Sequence, residues 1–221
     1  MSKASKEIIK KLKEQSNPEN VAGMARFGIN SKNTLGIPVP FLRKTAKEIG
    51  KNHDLALELW KSGIHEARLL ACFIDEIEKV SKEQMEEWVK DFDSWDVCDQ
   101  VCMSLFDKTE QPYAKAKQWA KREEEFVRRA GFALMAALAS HDKKAENEKF
   151  ISFFPFIKKY STDERNFVRK AVNWALRQIG KRNQNLRDEA LRLAEEIRKI
   201  DSKTAKWVAN DALRELKAKK F

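Results

Sequence analysis

The sequence predicts an all-α protein of stacked helix pairs, and three observations carry that prediction. Apolar residues recur at helical spacing along nearly the whole chain, beginning with Ile8, Ile9 and Leu12. Only 7 Gly and 5 Pro punctuate 221 residues, too few for the many tight turns of an all-β fold. One motif, an apolar helical stretch, then returns along the last three-quarters of the chain, from residue 52.

The elements follow in order. The stripe Ile8, Ile9, Leu12 is a first helix, ended by Ser16-Asn17-Pro18. Asn17 can cap a second helix with Pro18 in its first turn, running through Val21, Met24 and Phe27. Residues 30–40 hold Asn33, Gly36, Pro38 and Pro40 and are expected to be irregular. A helix resumes at Phe41 and passes through Ala46 and Ile49 to end near Gly50.

From residue 52 the repeat takes over, with copies at 66–74, 95–106, 126–138, 167–179 and 206–216. Arg128, Arg169 and Lys206 align at steps of 41 and 37 residues. Amphipathic stretches such as 81–89 and 147–159 lie between copies. This is the pattern of HEAT-type helix pairs, stacked so that neighbours bury one another. Ala71, Ala130, Ala171 and Ala212 are small enough for close packing within the stack. A single solenoid domain over residues 1–221 is expected. Its concave side would be basic, because the second helix of each pair carries the repeating Arg or Lys.

The net charge of +10 favours an acidic partner, with nucleic acid ahead of a membrane surface. Cys72, Cys98 and Cys102 are odd in number and form no CxxC, so neither a disulfide framework nor a zinc site is indicated. His53, His65 and His141 are scattered without metal-ligand spacing. No Gly-rich phosphate loop or nucleophile elbow is present. The start of the chain lacks an apolar signal region, and no apolar run approaches bilayer length. A soluble, cytoplasmic monomer without metal or organic cofactor is expected.

Trp95 and Asp99 are four residues apart, which on a helix puts an indole and a carboxylate on one face. The segments around Arg128-Arg129 and Trp174 supply further partners. Two indoles, a carboxylate and a guanidinium suit a cationic or sugar-like substrate. Each residue also has a plainer reading. Asp99 can be a helix-surface acid or the partner of a neighbouring repeat's Arg, and Trp95 and Trp174 can be core. Of the adjacent Arg128 and Arg129, one is expected to meet phosphate and the other to face solvent or a neighbouring repeat.

These residues resemble a known family, the AlkD-type DNA alkylation repair proteins, which are HEAT-like-repeat glycosylases. The likeness runs through Met24-Ala25-Arg26-Phe27, Leu35-Gly36-Ile37 with Pro40 and Arg43, Ser94-Trp95-Asp96 with Asp99, Arg129-Ala130, and residues 167–171 with 174–177. It implies Asp99 as the catalytic aspartate, Trp95 and Trp174 as the indoles that cradle the lesion's deoxyribose, and Arg129 as the arginine holding the nearby backbone. The resemblance further implies release of cationic N3- or N7-alkylated purines from duplex DNA without base flipping, unlike glycosylases in general.

The expected DNA-contacting set is Phe27, Pro38, Val39, Arg43, Arg128, Arg169, Lys170 and Arg177. Two features depart from the family pattern. Phe27 stands where relatives can carry a tyrosine, and Pro38 and Val39 replace more polar residues. Two rival readings are a DNA-structure binder without catalysis and a protein-interaction solenoid.

Overall fold

The computed structural model describes residues 1–220, and among them every regular element is helical. Two compact units divide the chain, Met1–Thr109 and Glu110–Phe221.

The first unit contains α1 (Lys3–Glu14), α2 (Pro18–Arg26), α3 (Val39–Ile49), α4 (His53–Lys61), α5 (His65–Ile74), α6 (Lys82–Lys90) and α7 (Trp95–Ser104), with 3-10 turns at Ile77–Lys79 and Phe106–Lys108. Asn17 caps α2 as its sequence suggests, its side chain accepting from the Asn20 amide at 3.1 Å, and Pro18 occupies the first turn. The next helix starts at Val39, two residues before the expected Phe41. Pro40 lies in its first turn, where a missing N–H costs no hydrogen bond, so the proline starts the helix rather than excluding it.

Helices α3, α5 and α7 pack in one row, with α4 behind α5 and α1 against both α4 and α5. Trp60 of α4 and Trp88 of α6 stack at 3.9 Å between centroids, and Phe92 and Phe106 close round them. Cys98 and Cys102 are fully buried thiols outside any disulfide, as core positions should be.

The second unit contains α8 (Pro112–Ala120), α9 (Glu125–His141), α10 (Asn147–Ile151), α11 (Phe154–Tyr160), α12 (Asn166–Gly180), α13 (Gln184–Arg198) and α14 (Lys203–Ala218). Its row is α9, α12 and α14, with α8 behind α9, α11 against α12, and α13 against α12 and α14. Every residue from Val127 to Ala139 is buried. Gly131 explains how closely α8 approaches α9: a Cβ there would sit 2.4 Å from the Ala120 amide nitrogen. The stretch 147–159 is two helices, broken at Ser152 and Phe153 ahead of Pro155, whose ring cannot continue a helix from the preceding turn. Ala71, Ala130, Ala171 and Ala212 are all fully buried.

Candidate nucleic-acid site

Helix α7 places Trp95 in its first turn and Asp99 one turn later, on one face and both half-buried. The Trp95 indole nitrogen donates to the Phe27 carbonyl at 3.1 Å, so the ring's N–H is engaged inside the first unit. Asn30 donates to Asp93 at 2.8 Å, a second tie between the α2–α3 connection and the start of α7.

Beneath this turn, Ser94 donates to one oxygen of Asp96 at 2.7 Å, and the other oxygen lies 2.8 Å from His65 Nε2. Burial disfavours the His65 imidazolium, but the hydrogen bond and charge of Asp96, helped by Glu66 and Asp93, outweigh it and raise the pKa. Burial likewise opposes the Asp96 carboxylate, yet His65 and Ser94 hold it below the usual value.

The α2–α3 connection is pinned by a residue that the sequence did not single out for this task. Glu66, fully buried, accepts from the amides of Leu35 (2.8 Å), Gly36 (2.7 Å) and Ile37 (3.3 Å). Asn20 donates to the Gly36 carbonyl at 2.9 Å, and the Asn17 amide to the Leu35 carbonyl at 2.7 Å. Gly36 has φ +78°, and a Cβ there would lie 2.3 Å from the Asn17 carbonyl oxygen, so only glycine fits. Pro38 and Val39 follow directly from this clamp.

Arg43, one turn into α3, donates to Gln100 of α7 at 2.9 Å and lies 4.4 Å from the Phe73 ring centroid. Phe27, at the end of α2, is 76% exposed, the most open large apolar side chain among the described residues.

In the second unit, Arg129 of α9 is buried and donates to the Phe167 carbonyl of α12 at 2.6 Å. Trp174 of α12 is half-buried. With the Gln178 amide turned to satisfy its neighbours, its oxygen accepts from the Trp174 indole nitrogen at 3.1 Å and from Lys181 at 3.2 Å. The four residues singled out by sequence thus fall into two pairs, Trp95 and Asp99 on α7 of the first unit, and Arg129 and Trp174 on adjacent helices of the second.

A model of the family described as DNA alkylation repair enzyme matches residues 8–216. The chain belongs to that family. An uncharacterized protein of Listeria innocua, Lin0241, is 23% identical over 188 residues, covering 83% of this chain and 82% of its own length. A solved structure described as a new family of proteins related to the HEAT-like repeat DNA glycosylases, with affinity for branched DNA structures, superposes with a TM-score of 0.78. It covers 95% of this chain and 94% of its own at 17% identity, a likeness that establishes the HEAT-like helical-repeat fold.

The basic residues of the expected DNA-contacting set differ in what holds them. Arg128 is buried, bonded to Asp163 at 2.8 Å and Glu123 at 3.0 Å, with its guanidinium 4.4 Å from the Tyr160 centroid. Burial works against the charge of Asp163, but Arg165 and Arg128 keep its pKa lowered. Neither member of the Arg128-Arg129 pair therefore faces solvent: α9 is covered all round, so both arginines are enclosed. Arg177 pairs with Asp211 and Glu215 of α14. Arg169 lies 5.2 Å from the Trp207 ring centroid and is half-buried. Arg43 and Lys170 are exposed.

Proposed function

We propose that this family member is a monofunctional DNA glycosylase that hydrolyses the N-glycosidic bond of cationic N3- or N7-alkylated purines in duplex DNA, without flipping the base. The observation that carries this reading is the shared face of α7, where the indole of Trp95 and the carboxylate of Asp99 stand one turn apart. Because the N–H of Trp95 is engaged by Phe27 and that of Trp174 by Gln178, what either ring has left for a ligand is its π face. Electron-rich faces and a carboxylate suit a sugar that gains positive charge as the base departs.

The chemistry balances without a cofactor. An alkylated purine that is already cationic leaves as the neutral base, taking the bonding pair, and water adds at C1′ and loses a proton. Asp99 has the two roles of stabilising the oxocarbenium-like sugar and orienting that water. Trp95 presents its ring face to the sugar in this reading. Arg43 in the first unit, and Lys170 and Arg169 in the second, supply phosphate contacts. Phe27, Pro38 and Val39 are apolar where a polar contact to the opposite strand would otherwise form.

The rival is a DNA binder without catalysis, which draws support from the affinity for branched DNA attributed to the solved structural relative. Single-turnover release of 7-methylguanine from a methylated duplex separates the two. Wild type should release base, and Asp99→Asn should do so about 10²- to 10³-fold more slowly with DNA affinity little changed. Tight binding by wild type with no release would favour the rival.

A further inference from the structure

We propose that α1 carries a phosphate-contact surface for double-stranded nucleic acid, additional to the contacts assigned above and independent of catalysis. Lys3, Lys6, Lys10 and Lys13 recur at three- and four-residue steps, which places them within about 80° of arc at 100° per residue. They span about 15 Å along the helix axis at 1.5 Å per residue. All four are exposed, and among the described residues none is held by an acidic side chain. Lys6, Lys10 and Lys13, with Ile9 and Glu14, line a shallow depression along the helix. Two acids, Glu7 and Glu14, border the stripe against the five lysines of α1, leaving the helix with a net charge of +3.

This stripe stands on a fixed support rather than on a loose end. Ser2 caps α1 through the Ser5 amide at 3.2 Å. The Ser2 amide and hydroxyl both donate to Glu58 of α4, at 2.6 and 2.8 Å. Hydrogen bonds from Ser5 and Ser2 draw the Glu58 pKa down to about 2, so this carboxylate stays charged across the working range. Leu12 is buried on the side away from the stripe, and Ile9 is buried along the stripe's edge. The fixed helix sets the spacing of the four lysine stems in advance, so binding to a regular array of charge orders side chains but not backbone.

The distribution of apolar groups decides between nucleic acid and membrane. An interfacial membrane helix needs an open apolar face to insert beneath its lysines. In α1 that face is already used, with Ile9 and Leu12 against the body of the unit and Ile8 half-buried. A duplex needs only cations. About 15 Å of axis matches roughly four phosphates of one strand at 3.4 Å per step.

The test uses the full chain and a short unmodified duplex, with affinity measured across a salt series. Without a lesion in the duplex, failure of base release leaves this result standing, and the converse holds as well. The triple variant Lys6→Gln, Lys10→Gln, Lys13→Gln should flatten the slope of log affinity against log salt by about 2 to 3, since each lost phosphate contact removes about 0.9. The corresponding triple Lys→Arg variant should keep the wild-type slope. Both should melt with the wild-type midpoint, because all three side chains are exposed. An unchanged slope in the Gln variant overturns the proposal. So does binding to phosphatidylserine vesicles that the Gln variant loses while its DNA slope stays put, which would mark a lipid surface instead.

Discussion

At the scale of single residues, the His65–Asp96 pair shows what spacing reveals and what it hides. Trp95 and Asp99 are legible because four residues on a helix fix a shared face. His65 and Asp96 are 31 residues apart in sequence, and no local pattern links them. Their titration gives a signed prediction. The raised pKa of His65 means its stabilising contribution is full below its unfolded value, about 6.5, and fades as pH rises through the higher folded value. The lowered pKa of Asp96 means its contribution is present above the unfolded value and fades as pH falls through the folded one. The ion pair therefore works between those limits. Thermal melts of wild type and Asp96→Asn should differ most near about pH 5.5 to 6 and converge as pH climbs past neutrality. A difference that stays constant from acid to alkaline pH would show that the pair is not an ion pair.

At the scale of elements, the α2–α3 connection is the instructive case. Its irregularity is legible in Asn33, Gly36, Pro38 and Pro40, because glycine and proline report backbone needs directly. Its anchor is not. An acid in the first turn of a helix reads as a favourable partner for the helix dipole, and nothing local says that Glu66 faces inward to three amides 29 to 31 residues away. Truncating it to Ala should leave those amides without an acceptor and cost about 3 kcal/mol or more, at 1–3 kcal/mol for each buried donor left unmade. Hydrogen exchange at Leu35, Gly36 and Ile37 should accelerate together, while amides of α12 and α14 keep their protection. Gly36→Ala should destabilise the same segment by about 1–3 kcal/mol through φ strain and the clash with Asn17. If exchange at the three amides is unchanged in Glu66→Ala, Glu66 is not the clamp. The break between α10 and α11 was open to reading from Pro155, but a continuous apolar pattern across 147–159 masks it.

At the scale of the whole molecule, net charge is a poor guide to which cations meet a ligand. The +10 of the chain signals an acidic partner, and the repeat of Arg128 and Arg169 suggests a basic row. Sequence cannot separate a cation that is exposed from one that a later repeat has already paired, because the acids concerned lie 34 to 38 residues further along the chain. Arg128 pairs with Asp163, and Arg177 with Asp211 and Glu215, so their charge serves packing between helices. Lys170 is exposed on the same α12 that carries Arg177. Two substitutions should therefore behave in opposite ways. Lys170→Gln should flatten the salt slope of DNA binding by about 0.9 and leave the melting midpoint alone. Arg128→Gln should leave the slope alone but remove one of the two guanidiniums that hold Asp163, Arg165 keeping the other, at a cost of about 1.5–3 kcal/mol, the range for a hydrogen bond to a charged group. For a chain of this size each kcal/mol corresponds to about 2–4 °C, so the midpoint should fall by about 3 °C or more. A stable Arg128→Gln protein with a flattened slope would put that guanidinium on the phosphate backbone and overturn its assignment to the interior.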